Sequence, residues 1–294
     1  MSPPLLEISN LRLEIRSPAR ISPILRGINL SLLRGQIRGL VGESGGGKTM
    51  VGKAIMGLLP ANAKITAGSI RFDDQELIGM PDSMHRRLLG RRISMILQQP
   101  SSALNPVLRI ETQMVDVLRR HMGLGRAVSR RRALELLDAV QIRAPDKVLR
   151  QFPHELSGGM CQRVVIAIAF ALEPSLIIAD EPTTALDVTI QFQILKLIRD
   201  LQRKTGVGVL FITHDLGVVA KLCDEVSVIF GGRILEEGSA EAVFASPSHP
   251  YTSALIAASP RHDQPERGLH PIPPELIARL WEETAFSDRE YADA

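Results

Sequence analysis

Apolar and polar positions alternate from residue 5 to residue 41: Leu11, Leu13 and Ile15, then Ile24 to Leu33, then Ile37 to Val41. A period of two predicts short antiparallel strands, with turns at Ser17-Pro18 and Arg34-Gly35. Residues 68 to 79 read as a further hairpin strand with a polar turn, and Ile93 to Leu97 as a compact apolar strand ending at Gln98. From there to about Pro153 the period becomes helical, with Val115, Val117 and Leu118, then Ala133 to Val140, which predicts an inserted helical subdomain. The pattern of a parallel sheet resumes with Leu176 to Ala179, Gly208 to Thr213 and Val226 to Phe230, each preceded by a helix-like segment. After Ser246 the chain is rich in proline and histidine and only weakly periodic, so an appendage with a frayed end is expected.

Composition narrows the class. The chain has 294 residues, 45% hydrophobic and 23% charged, enough to bury a sizeable core. Its 35 basic and 32 acidic residues leave a net charge of +3, too balanced to point to nucleic acid as the main partner. The basic clusters His85-Arg86-Arg87 with Arg91-Arg92, and Arg130-Arg131-Arg132, are expected to be solvated helix faces. Cys161 and Cys223 have neither a disulfide framework nor metal-ligand spacing, which fits a reducing cytosol. The N-terminal stretch carries Glu7 and Glu14 and has no signal-peptide character. The apolar run Val164 to Leu172 falls far short of the ~20 residues that a membrane span needs, so a soluble chain is expected.

Chemistry enters at Gly42-Glu43-Ser44-Gly45-Gly46-Gly47-Lys48-Thr49. This stretch follows an apolar strand and precedes a helix-like segment, Met50 to Leu59, and that context turns G-x-x-x-x-G-K-[ST] into a phosphate-binding device. Its glycines let backbone N–H groups wrap an anion, and the helix start adds its positive dipole end. Lys48 is expected to reach the β- and γ-phosphates, and Thr49 to ligate Mg²⁺. Leu176 to Ala179 runs into Asp180-Glu181, a buried strand delivering acids at its C-terminal edge, where ligands of open α/β sheets sit. Asp180 is expected to hold Mg²⁺, and Glu181 to take a proton from an attacking water. A third stretch, Leu156-Ser157-Gly158-Gly159-Met160-Cys161-Gln162-Arg163, offers Ser157 as a helix N-cap with Gly158 and Gly159 behind it. It is a second anion-binding helix start on the same chain.

These motifs together resemble the ATP-binding-cassette (ABC) family. The resemblance covers most of the chain: the phosphate loop 42–49, a Q-loop glutamine at Gln98, the signature 156–163, the acid pair Asp180-Glu181, a D-loop Ala185-Leu186-Asp187, and a switch histidine, His214, in Ile-Thr-His-Asp. It implies a P-loop NTPase (RecA-like) parallel-sheet core. Residues 1–98 would form the antiparallel β subdomain and the phosphate-loop part of that core. A helical subdomain would follow over 99–165, the rest of the core over 166–245, and a C-terminal extension over 246–294. It also implies that two cassettes pack head to tail, so that Ser157, Gly158 and Gly159 face the partner's ATP, and it places Asp187 of the D-loop among the nucleotide-binding residues. Phe152 to Met160, Ser102-Ala103-Leu104-Asn105-Pro106, Asp180 to Val188 and Ser248-His249-Pro250-Tyr251-Thr252 are similar to the peptide/nickel importer branch.

That resemblance implies ATP hydrolysis coupled to uptake of a peptide, nickel or a similar small solute. Glu181 would be the general base, His214 would contact the γ-phosphate, and Gln98 would serve Mg²⁺ and report occupancy to the helical insert. The implied partners are a second ATPase chain (usually a different one), two membrane permease subunits and an extracytoplasmic solute-binding protein. Nucleic acid is not among them. The implied place is peripheral, on the cytoplasmic face of the cell membrane. The branch often carries a cysteine cluster in its extension, but no cysteine follows Cys223, so no iron–sulfur cluster is expected. The family also stacks adenine on an aromatic near the end of the first strand. Here no Phe, Tyr or Trp precedes Phe72, and the position falls near Ile15 or Arg16.

Three other readings fit less of the chain. A small-molecule kinase would use the phosphate loop but would need neither 156–163 nor His214. A non-transport ABC protein of DNA repair or translation would show a long coiled-coil insert or two cassettes in one chain. A regulatory adaptor would have lost a catalytic residue.

Overall fold

In the computed structural model, which describes residues 3–184, 186–259 and 271–292, the alternating N-terminal stretch forms a hairpin. Strands β1 (Leu6–Arg16) and β2 (Ile21–Leu32) pair antiparallel, Leu6 opposite Leu32 and Arg16 opposite Ile21. One face is apolar and buried, with Leu6, Ile8, Leu11 and Leu13 beside Leu25, Ile28, Leu30 and Leu32, as a half-buried sheet requires. Next come β3 (Ile37–Val41), α1 (Lys48–Met56), β4 (Ala63–Phe72) and the short β5 (Gln75–Glu76). The antiparallel sheet has the order β2-β1-β4-β5.

The segment from Pro81 to Val209 is a compact unit of its own. It contains α2 (Asp82–Leu88), β6 (Ile93–Ile96), α3 (Pro100–Ala103), α4 (Ile110–Met122), α5 (Arg126–Ala139), α6 (Pro145–Arg150), α7 (Gly158–Phe170), β7 (Leu176–Asp180) and α8 (Val188–Thr205). Strands β6 and β7 are parallel, Ile93 opposite Leu176 and Ile96 opposite Ala179. Ile110, Met114 and Leu118 of α4 bury against α5 and α7, whose own buried rows are Ala133, Leu136 and Leu137, and Val164 to Ala167. The Arg130–Arg132 cluster is more than a solvated face. Arg130 pairs with Asp146 and Glu111, and Arg132 with Glu135 and Glu173.

Strand β8 (Gly208–Thr213) leads into the other unit, which joins the residues from Leu210 onward to those up to Met80. There follow α9 (Leu216–Leu222), β9 (Glu225–Phe230), β10 (Arg233–Ser239), α10 (Ala240–Ala245), α11 (Pro250–Ala258) and α12 (Pro274–Ala292). In this unit the strands run in the order β10-β9-β3-β8.

Two expectations are corrected. Ile37 to Val41 was grouped with the antiparallel strands, yet β3 pairs parallel with β9, Gly39 opposite Val226. All five of its residues are buried. Apart from Arg38, which pairs with Glu225 and Glu237, the run has no polar residue and no alternation, as in a parallel strand covered on both faces. After Ser246 a weakly periodic chain was expected, but most of the described residues there form helices; the expected frayed end, at 293–294, lies outside the described residues. Helices α11 and α12 carry buried Tyr251, Leu255, Leu280 and Thr284, and Arg26 of β2 grips Asp288 at 2.8 Å. No helix among the described residues is long and apolar enough to cross a membrane.

Candidate functional site

The phosphate loop leaves β3 at Val41 and enters α1 at Lys48. Two of its glycines are sterically required. A Cβ on Gly42 would meet the Ile229 carbonyl oxygen at 2.1 Å, and one on Gly47, at φ 98, would meet Leu25 Cδ2 at 2.9 Å. No side chain caps the start of α1, so this helix end presents backbone donors rather than a capping oxygen. Lys48 is buried, and its ammonium donates to the carbonyls of Gly42 at 2.8 Å and Glu43 at 2.9 Å. The loop thus holds its own cation in place.

Gly42 to Gly46 line a cavity of about 690 Å³ together with His214, Phe230, Tyr251 and Trp281. His214 sits in a tight turn: the Thr213 hydroxyl accepts from the Asp215 N–H at 3.0 Å, and Asp215 caps α9 by accepting from Val218 N–H at 3.1 Å. No aromatic precedes Phe72, as the sequence shows, so none stands at the expected stacking position near Ile15 or Arg16. Here the loop's aromatic neighbours come from the other end of the chain. Ile15 is half-buried on β1, and Arg16 is exposed and paired with Glu14 at 2.6 Å.

In the unit from Pro81 to Val209, β7 ends on buried Asp180, and Glu181 turns the chain with φ 46. A non-glycine residue in the left-handed region is held there by its surroundings at a cost of order 1–3 kcal/mol, and such residues cluster at functional sites. Gln98 Nε2 donates to Glu181 Oε2 at 2.9 Å, and Thr184 Oγ1 donates to the same oxygen at 2.9 Å. The Q-loop glutamine and the terminal acid are therefore in direct contact. Thr184 was missed from sequence, because its reach depends on the turn in which its own N–H donates to the Glu181 carbonyl at 3.3 Å.

The glycine-rich start of α7 has the expected geometry. Ser157 Oγ accepts from Met160 N–H at 3.3 Å, and Ser157 and Gly158 are exposed. A Cβ on Gly159 would lie 2.9 Å from Ile190 Cγ2, so α8 requires glycine there. Asp187 caps α8, its Oδ1 accepting from Ile190 N–H at 2.9 Å. The signature and D-loop stretches thus adjoin. Ala185 of the D-loop lies outside the described residues.

Residues 25–184 match the ABC transporter family, and residues 235–288 match the C-terminal region of oligopeptide/dipeptide transporters. The chain is 42% identical over 288 residues to the oligopeptide transport ATP-binding protein OppD of Haemophilus influenzae, covering 97% of this chain and 89% of that protein. It is 44% identical over 277 residues to the dipeptide transport ATP-binding protein DppD of Bacillus subtilis, covering 93% and 83%. Among solved structures, a dimeric ATP-binding cassette in a post-hydrolysis state bound to ADP and Pi aligns with a TM-score of 0.72 and 26% identity, over 80% of this chain and 98% of that one. With the phosphate loop, the acid-terminated strand and the glycine-rich start of α7 all carried on such a match, the chain belongs to the ABC transporter family, as an ATP-hydrolysing subunit of the oligopeptide/dipeptide transporter branch with a P-loop NTPase fold.

Proposed function

We propose that this subunit drives uptake of a peptide, or of a similar small solute such as nickel, through a separate membrane permease. The observation that carries this reading is the match of residues 235–288 to the C-terminal region of oligopeptide/dipeptide transporters, joined to a cassette match over 25–184. Its partners would be a second ATPase chain, two permease subunits and an extracytoplasmic solute-binding protein. The subunit would then lie peripherally on the cytoplasmic face of the membrane.

Within the cycle, Gly42 to Gly47 and Lys48 bind the ATP phosphates, and His214 contacts the γ-phosphate. Glu181, oriented by Gln98 and Thr184, takes the proton of the attacking water. Ser157, Gly158 and Gly159 close on the ATP of the partner cassette, and Asp187 of the D-loop serves nucleotide binding. Thr49, Gln98 and Asp180 offer hydroxyl, amide and carboxylate oxygens, the hard donor set that Mg²⁺ takes, and so would hold that ion. When bound, it would neutralise charge building on the β- and γ-phosphates. Purification of the chain from membranes with its associated proteins tests the assembly. A multi-span permease and a solute-dependent ATPase are expected, whereas a chain that purifies alone from an intact host overturns transport coupling.

The absence of an aromatic before Phe72 has a measurable consequence. Stacking on a ring is worth roughly 1–3 kcal/mol per base, so ATP affinity here would rest mainly on the triphosphate and Mg²⁺, with weak preference for adenine over guanine. Ile15→Tyr, or Arg16→Tyr, is expected to tighten ATP binding by up to about tenfold, the ~1.4 kcal/mol of a modest stack. Fluorescent-nucleotide titration with ATP and GTP reads both points. A wild-type preference for ATP of about a hundredfold or more would show that another group reads the base.

A further inference from the structure

The C-terminal residues that mark the transporter branch build a device on the phosphate loop. Glu236 of β10 accepts from Ser248 N–H at 2.7 Å, Ser248 Oγ at 2.8 Å and His249 N–H at 3.0 Å. His249 then caps α11, its Nδ1 accepting from Tyr251 N–H at 3.1 Å, with Pro250 at the first helical position. These contacts fix the backbone at the start of α11, where the Tyr251 side chain is fully buried. Its ring meets Phe230 edge-on with centroids 5.0 Å apart.

The Tyr251 hydroxyl accepts a hydrogen bond from Glu43 N–H at 3.4 Å. Burial, reinforced by the Glu43 charge, pushes the phenol far above its ordinary ionisation, so it stays a neutral O–H. The Glu43 residue is therefore held at both ends, its N–H by Tyr251 and its carbonyl by the Lys48 ammonium at 2.9 Å. Helix α12 supports the far side of the loop. Asp288 grips Arg26, Arg26 Nη1 donates to the Gly231 carbonyl at 2.6 Å, and Gly232 N–H donates to the Gly46 carbonyl at 3.1 Å. Trp281 stacks obliquely on Phe230 at 5.1 Å.

We propose that Tyr251 is a positioning residue for the phosphate loop, fixing the Glu43 peptide and through it the resting place of Lys48, so that ATP affinity is set in part from the C-terminal region. This rests on the reading of Gly42 to Thr49 as the ATP site. To take up a triphosphate, Lys48 must exchange carbonyl partners for phosphate oxygens. A loop already fixed at Glu43 does so without paying for its own ordering.

Tyr251→Phe removes the hydroxyl and keeps the ring on Phe230. In the full chain, titrated with a fluorescent ATP analogue and Mg²⁺, it is expected to weaken nucleotide binding by about three- to tenfold, the range of one lost hydrogen bond. In the assembled transporter KM should rise by a similar factor while kcat changes less than twofold, a split that general destabilisation does not produce. Glu236→Gln, which loosens residues 248 to 252 without touching the loop, should move affinity the same way by a smaller factor. Wild-type affinity in both variants, within twofold, would overturn the proposal. Failure of the wild-type chain to bind ATP at all would instead overturn the ATP-site reading, and the proposal with it.

Discussion

Replacing Glu181 by Gln is expected to leave ATP binding intact and to cut steady-state hydrolysis of the assembled transporter by about 10²–10⁴, or about 2.7–5.5 kcal/mol of barrier. The substitution keeps the side chain's shape and one carboxamide oxygen. Gln98 Nε2 and Thr184 Oγ1, both at 2.9 Å from Glu181 Oε2, would still find an acceptor there. What is lost is the negative charge and with it the basicity, because a neutral amide cannot take the proton of the attacking water. The left-handed backbone at Glu181, φ 46, is unchanged in kind, so the strand-to-loop turn survives. Steady-state ATPase and nucleotide titration on the same preparation separate the two effects. A fall of less than about tenfold in turnover would remove Glu181 from the role of base.

How much of this arrangement is visible in the amino-acid sequence depends on how local its causes are. The phosphate loop is legible because all its fixed positions lie in one stretch between an apolar strand and a helix, and because Lys48 reaches back only five and six residues for its carbonyl partners. Strand β7 is legible because five buried residues end on an acid. The contact between Gln98 and Glu181 joins residues 83 apart, and only the family pattern brings them to attention. Strand β3 was placed with the wrong partners, because a five-residue, largely apolar run beside alternating strands does not reveal which strand it pairs with. The C-terminal helices were obscured by proline and histidine. The apolar row Ile277, Leu280 and Trp281 has helical spacing, but its meaning depends on Phe230 and Gly231, far away in the chain. Tyr251 is the extreme case: its hydroxyl partner, Glu43, lies 208 residues away, and no local pattern announces it.

Ser157→Arg is expected to leave this chain's own ATP binding unchanged while lowering hydrolysis at the partner's ATP by about 10²–10³, the loss typical when one preorganised donor to developing charge is removed. Ser157 is exposed and caps α7 through Met160 N–H at 3.3 Å, with exposed Gly158 beside it. Arginine cannot supply the capping oxygen, which costs about 0.5–2 kcal/mol of helix stability. Its larger effect is steric: a long cationic side chain at the helix start covers the N–H groups that would meet the γ-phosphate. Ser157→Ala separates the two, since it loses the cap and adds no bulk, and it should retain most of the activity. Photo-crosslinking of the isolated chain with a labelled ATP analogue reads the first half of the expectation, and ATPase of the assembled complex reads the second. Loss of labelling on the isolated Ser157→Arg chain would mean that the start of α7 serves the chain's own nucleotide, contrary to the head-to-tail assignment. Full labelling with a collapsed turnover would place the defect at the partner's ATP, as that assignment requires.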